Sequence, residues 1–159
     1  MRFLTDGMLG KLTRWLRMAG HDVVYVGELE IPGEKQDPYL LERAKRERRV
    51  LLTRDVELYR RAGKGGVRCL LIRGSSLPSQ LREISHECRL RIEINPEKSR
   101  CPVCNGELRR KKKEEVKDLL PPGVLRGRRT FWECSECGKV YWRGSHWENI
   151  LKTVEEVGR

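Results

Sequence analysis

Two Cys-x-x-Cys pairs, Cys101-Pro-Val-Cys104 and Cys134-Ser-Glu-Cys137, limit what this chain can fold into more than any other feature. Each spacing turns two thiolates onto one ion, Gly106 and Gly138 follow where such turns favour glycine, and two knuckles together close a tetrahedron around Zn²⁺. Four protein sulfurs leave no position open for water or substrate, so the metal is structural. It supplies folding free energy to a segment too small to hold itself. The interval from Cys104 to Cys134 exceeds the roughly 15–20 residues of a compact ribbon. The excess carries Arg109–Lys113 and Arg126–Arg129, a basic arm that either touches phosphates or is simply solvated. Cys69 and Cys88 stand apart from the knuckles and read as small buried hydrophobes.

With 159 residues the chain can build one full core and a stapled appendage, not two cores. Up to Asn95, short apolar runs alternate with amphipathic stretches, the rhythm of a parallel sheet flanked by helices and so of an α/β fold. Strands are expected near 2–5, 22–26, 49–53 and 67–72. Leu9, Leu12, Trp15, Leu16 and Ala19 recur at helical spacing before a stop at Gly20, and Leu40, Leu41 and Ala44 mark a second helix opened by Asp37 and Pro38. A short helix starts at Asp55, and another runs from Pro78 to Leu90 with Leu81, Ile84 and Cys88 inward. Asn95 to Arg100 form a linker, dividing an α/β domain over 1–97 from a zinc ribbon with its basic arm and C-terminal helix over 98–159. The second segment shows a charged stretch Arg109–Lys117, a turn at Pro121-Pro122-Gly123, strands near 124–133 and 139–142, and a helix from Ser145.

A formal charge of +11, from 34 Lys and Arg against 23 Asp and Glu, makes RNA or DNA the natural partner. Solvated surface Lys and Arg are the plainer account. Lys11, Arg14 and Arg17 interrupt any apolar leader, and nothing approaches the roughly 20-residue apolar run of a membrane span, so a cytoplasmic protein without membrane attachment is expected. In that reducing compartment paired cysteines mean metal rather than disulfides.

Asp6 follows the first expected strand and Asp55 the third, at the C-terminal strand ends where open α/β sheets bind ligands, and Asp37 can lean in from a helix start. Singly, each is a good helix cap. Gathered, they repel unless a divalent cation neutralises them, and oxygen donors select Mg²⁺ or Mn²⁺, ions that cut phosphodiesters through a bound water. His21, His86 and His146 lack the partners acyl chemistry requires. Lys11, Arg14 and Arg17 share one face of the first helix, beside Asp6. With Arg54, Arg126, Arg128, Arg129, Arg143 and His146 they form the candidate nucleic-acid contacts. Tyr141-Trp142-Arg143-Gly144-Ser145-His146-Trp147-Glu148 carries a Ser-x-x-Glu capping box, and its aromatics suit either stacking on unpaired bases or packing the ribbon against the first domain.

The runs Phe3-Leu4-Thr5-Asp6-Gly7-Met8-Leu9-Gly10-Lys11-Leu12, Arg14-Trp15-Leu16-Arg17 and Leu51-Leu52-Thr53-Arg54-Asp55 recur in order with both cysteine knuckles and Arg143-Gly144-Ser145-His146-Trp147. Together they resemble the mut-7 C-terminal RNase domain family over nearly the whole chain. The resemblance implies a PIN-like nuclease fold with a C-terminal zinc ribbon, and metal-dependent ribonuclease activity with Asp6, Asp37 and Asp55 carrying the metal. The wider PIN pattern commonly has another acidic residue after the fourth strand, where this chain has Arg73-Gly74-Ser75-Ser76. A single ion, or a carboxylate from elsewhere such as Glu148, would meet that need. The expected function is an endonucleolytic ribonuclease of RNA processing or turnover, its substrate a tRNA, rRNA or mRNA. One alternative is a non-catalytic RNA-binding protein of ribosome or tRNA maturation whose carboxylates are only caps. Another is a toxin-like nuclease with a protein antitoxin, against which the appended ribbon argues.

Overall fold

A computed structural model describes all 159 residues. Strands β1 (Arg2–Thr5), β2 (Asp22–Tyr25), β3 (Val50–Thr53) and β4 (Cys69–Leu71) form one parallel sheet in the order β2-β1-β3-β4. Helices α1 (Gly10–Met18), α2 (Gly33–Glu47), α3 (Val56–Lys64) and α4 (Leu77–Cys88) follow the strands in turn. Parallel strands cannot be joined by tight hairpins, so every connection is a helical crossover, and the helices cover both faces. Side-chain alternation along the strands builds two cores. Phe3, Val23 and Leu52 meet Leu12 and Leu16 of α1 and Leu81 of α4 on one face. Leu4 and Leu51 meet Leu40 and Ala44 of α2 and Leu58 of α3 on the other.

All four expected strands are present, with ends differing by a residue or two. Helix α2, however, begins at Gly33, so Asp37 and Pro38 lie inside it and Asp37 does not cap it. Pro38 removes a single ladder bond early in the helix, where its fixed φ is already helical. The expected start of α4 at Pro78 moves to Leu77, with Ser76 and Ser79 closing a reciprocal cap.

The second segment folds as a three-stranded antiparallel sheet, β5 (Leu108–Lys112), β6 (Thr130–Cys134) and β7 (Val140–Tyr141), around Val116, Phe131 and Val140. Short helices α5 (Lys113–Val116) and α6 (Pro122–Leu125) fill the long interval between the knuckles. The expected basic arm is therefore ordered: Arg109–Lys112 are strand residues paired with β6, and Arg128 donates to the Val124 carbonyl at 2.8 Å. Charge at every position of Arg109–Lys112 had hidden the two-residue alternation that marks a strand. Helix α7 (Trp147–Gly158) starts after His146, and the Ser145–Glu148 capping box does not form; the Trp147 N–H bonds to the Gly144 carbonyl instead. Its far end returns to the first unit, where Val157 joins the core beside Leu81 and Arg82 donates to the Glu156 carbonyl at 2.6 Å. No helix is long and apolar enough to cross a membrane.

Arg17 joins the two units and is 1% exposed, so the expectation that it faces RNA is corrected. Its guanidinium donates to the Val23 carbonyl, grips Glu28 at 2.7 and 3.0 Å, and reaches the Pro102 and Val103 carbonyls of the first knuckle. Asn105, at φ 71°, completes the joint: its amide oxygen accepts from the Val23 N–H, and its amide nitrogen donates to Asp22 at 2.8 Å. Burial pushes Asp22 up, but hydrogen bonds from Arg49 and Asn105 and the charges of Arg49 and Arg100 override it and hold Asp22 at about 2. Arg17→Met should lower stability to denaturant by about 3–5 kcal/mol, the scale for breaking a buried pair. The lower end is expected, because Glu28 is 41% exposed and can rehydrate. Arg17→Lys should rescue little, since one ammonium cannot reproduce the planar fork. A loss within 1 kcal/mol of zero, on the scale of an exposed pair, would show that Arg17 is not the brace.

His21 packs edge-on against Phe3, and its Nε2 is buried without a partner. Burial, and then the nearby N-terminal ammonium, lower its pKa from 6.5 to about 4. Between those values the unfolded chain binds a proton that the folded chain refuses, so stability is full above about pH 6.5 and falls toward about pH 4. His21→Phe should flatten that part of a urea-unfolding pH profile. Parallel slopes in wild type and variant would contradict the assignment.

Candidate active site

Chain order reverses between β1 and β3, since β1 connects outward to β2 while β3 starts the other half of the sheet. At such a switch point the loops diverge and leave a crevice at the C-terminal strand ends, where open α/β sheets place their ligands. Asp6 stands there, 8% exposed, directly after β1. The sheet continues one step beyond the strand through the bond from the Asp6 N–H to the Leu52 carbonyl at 3.2 Å. One carboxylate oxygen of Asp6 accepts from the Met8 N–H at 3.0 Å; the other accepts from the Thr53 hydroxyl and from the Arg54 N–H at 3.2 Å. These three donors hold the carboxylate in one orientation.

Asp55 is exposed and caps α3: its Oδ1 accepts from the Glu57 and Leu58 N–H groups at 2.8 and 3.2 Å. Its other oxygen is free of these bonds. The two acids are linked through Thr53, whose Oγ1 donates to Asp6 and accepts from the Asp55 N–H at 3.0 Å. Asp37 lies in α2 and pairs with Arg61 of α3 at 3.5 Å. The three carboxylates are not drawn into one cluster, because the only group of three or more possible ligands within 4.8 Å of one another is Cys101, Cys104, Cys134 and Cys137.

Arg54, half-buried, reaches the Gly74 carbonyl in the loop after β4 at 2.7 Å, and Gln80 donates to the same carbonyl at 3.0 Å. The acid that reaches the loop after β4 is Glu83 from α4. It accepts from the Arg73 N–H at 3.0 Å and from the Gly74 N–H. Glu83 carries no strand-end signal in the sequence, because it lies in the middle of α4. Glu148 is exposed in the first turn of α7. Lys11 and Arg14 are exposed on α1, next to the crevice. Burial, followed by the Asp6 charge, pushes Cys69 up to about 12, so its thiol stays protonated and serves only to pack.

At the ribbon, Sγ of Cys101 lies 3.7 Å from that of Cys137, and Sγ of Cys104 lies 3.4 Å from that of Cys134. A tetrahedron with bonds near 2.3 Å has sulfur–sulfur edges of about 3.8 Å, so the four thiols could hold a metal such as zinc. Gly106 is required by that closeness, since a side chain there would start 2.7 Å from the Cys134 sulfur. The Tyr141 hydroxyl lies 3.1 Å from the Cys101 sulfur. Burial raises the Cys101 thiol, and the hydrogen bonds from Tyr141 and from knuckle N–H groups override it, bringing it down to about 7. Of the remaining candidate contacts, Arg126, Arg129, Arg143 and His146 are exposed and Arg128 is half-buried.

A family model described as the Mut7-C RNAse domain matches residues 1–154. No curated protein and no solved structure matches the chain.

Proposed function

From the premise that this chain belongs to the Mut7-C RNAse domain family, we propose that it is a metal-dependent ribonuclease cutting RNA internally at the crevice of Asp6 and Asp55. The observation that supports this reading is the Thr53 bridge, whose hydroxyl donates to the Asp6 carboxylate and accepts from the Asp55 N–H at the end of β3. Mg²⁺ commonly binds through one or two carboxylates while keeping several waters, so this pair suits it without a dense acidic cluster. When bound there, such an ion lowers the pKa of a coordinated water and stabilises charge on the leaving oxygen.

The protein's own groups do the rest. Thr53 and the Arg54 N–H stop Asp6 from rotating, which removes reorganisation from the reaction. Asp55 offers its free oxygen at the exposed rim, where an internal stretch of strand can reach it. Asp37 acts from α2 through water, once substrate competes for Arg61. Arg54, Lys11 and Arg14 bind phosphates on either side, and Arg126, Arg128, Arg129, Arg143 and His146 extend that contact over the ribbon. Zinc at the four cysteines is structural.

A second reading has specific support: Asp55 caps α3 and Asp37 is ion-paired, which are the roles of a non-catalytic RNA-binding module. Titrating Mg²⁺ or Mn²⁺ into purified protein with end-labelled RNA separates the two. Cleavage should rise with the ion and vanish with a chelator too weak to strip the cysteine site. Salt-sensitive RNA binding without turnover at any ion concentration would establish the binding module instead.

A further inference from the structure

We propose that the aromatic cleft where the ribbon meets the α/β unit holds one unpaired nucleobase of the RNA strand and so sets where the strand is cut; this rests on the ribonuclease reading above. The cleft has a volume of about 100 Å³, lined by Trp132, Tyr141, Trp142 and Trp147 with Met18 and Ile94. Sites for drug-sized molecules begin at roughly 300 Å³, so this one suits a single planar ring. Its apolar, aromatic lining matches the π-face that every base presents.

The charge around the cleft points to a nucleic-acid ring rather than an aliphatic side chain, and the Trp132 ring that lines it is 3% exposed. The rim is cationic: the Arg143 guanidinium lies 5.5 Å from the Trp132 ring centre and 5.3 Å from that of Trp147, and Arg100 lines the wall. Indoles and guanidinium together form the stacking and phosphate-binding surface that unpaired strands use.

The cleft also has a route to the crevice. Helix α1 starts just after the Asp6 loop and ends at Met18, which lines the cleft. Lys11, Arg14 and Met18 are spaced i, i+3, i+7, one stripe along the helix, and both cations are exposed. At 1.5 Å rise per residue α1 is about 13 Å long, or about four nucleotides at 3.4 Å each and fewer for an extended strand. A base held in the cleft therefore places a backbone phosphate a fixed, short distance away, at Asp6 and Asp55.

The test uses full-length, zinc-loaded protein carrying Asp6→Asn, so that RNA is bound and not cut. Titration with a single-stranded oligonucleotide should quench tryptophan fluorescence, and a duplex of the same sequence should not. Trp147→Leu keeps an apolar contact but removes the stack. It should weaken single-strand binding roughly 5- to 100-fold, the effect of deleting one base stack, and leave duplex binding unchanged. In otherwise wild-type protein, Trp147→Leu should scatter cut positions relative to unpaired bases. If Trp147→Leu melts earlier or loses zinc while binding single strands as tightly as the parent, the rings only pack the units together and the proposal fails. Failure of the ribonuclease reading looks different: no cleavage by wild-type protein, with single-strand quenching intact.

Discussion

Asp6→Asn is expected to lower RNA cleavage by at least about a hundredfold, the scale of removing one group that stabilises a transition state. The carboxylate is surrounded by donors: Met8 N–H on one oxygen, Thr53 hydroxyl and Arg54 N–H on the other. An asparagine can accept on only one side, so its amide N–H₂ must face a donor. A stability loss of about 1–3 kcal/mol should accompany the lost activity. Asp55→Asn separates the two effects. Asparagine is as good an N-cap as aspartate, so α3 should keep its cap and the variant should melt within a few degrees of wild type. Its cleavage should nonetheless fall by a similar factor, because the charge that draws the metal has gone. Cleavage assays in Mg²⁺ and Mn²⁺, read beside thermal melts, decide the matter. Wild-type turnover by both variants would place the active centre elsewhere and return the carboxylates to capping.

Cys134→Ala should release the ribbon's metal and melt the ribbon, the largest stability effect expected of any single change. Binding of structural zinc is worth about 10–16 kcal/mol in small modules, comparable with the whole stability of an ordinary domain at about 5–15 kcal/mol. Cys134 is buried at the end of β6, and its sulfur sits against Cys104 and the Glu136 and Cys137 N–H groups. The damage should spread. The first knuckle supplies two carbonyls to Arg17, and Asn105 takes the Val23 N–H, so an unfolded ribbon strips partners from α1 and β2. Metal analysis should find one zinc per wild-type chain and none in the variant. Circular dichroism should show the α/β unit melting earlier as well. An apo protein with an unchanged melting curve would show that the four thiols do not hold a structural ion.

How far the chain could be read in advance differs from element to element. β3 was legible because Val50-Leu51-Leu52 is an apolar run closed by the β-branched Thr53, and all four are buried. β5 was not, because Leu108-Arg109-Arg110-Lys111-Lys112 has no apolar alternation; it is held by pairing to β6 and not by its own burial. Asp37-Pro38 read as a helix start on local preference, but the chain begins coiling four residues earlier and carries the proline inside. Ser145-x-x-Glu148 satisfied a capping pattern that the backbone leaves unused, since the turn at Gly144 already sets the start of α7. Glu83 carried no local signal at all: its role at the end of β4 arises only when α4 folds back over that strand.

What the sequence by itself determined is the parallel α/β plan, the four-cysteine site and the placing of Asp6 and Asp55 at strand ends. Each follows from order along the chain: apolar period, knuckle spacing, and the rule that parallel strands put their following loops on one edge. Only the tertiary structure decided that Arg17 is buried under the ribbon while Lys11 and Arg14, on the same helix, stay in solvent. The same holds for Asp37 meeting Arg61 and for α7 returning to the core of the first unit. A charged or apolar face is a local property, but what covers it is set by which distant segment packs there, and one helix pattern fits either outcome.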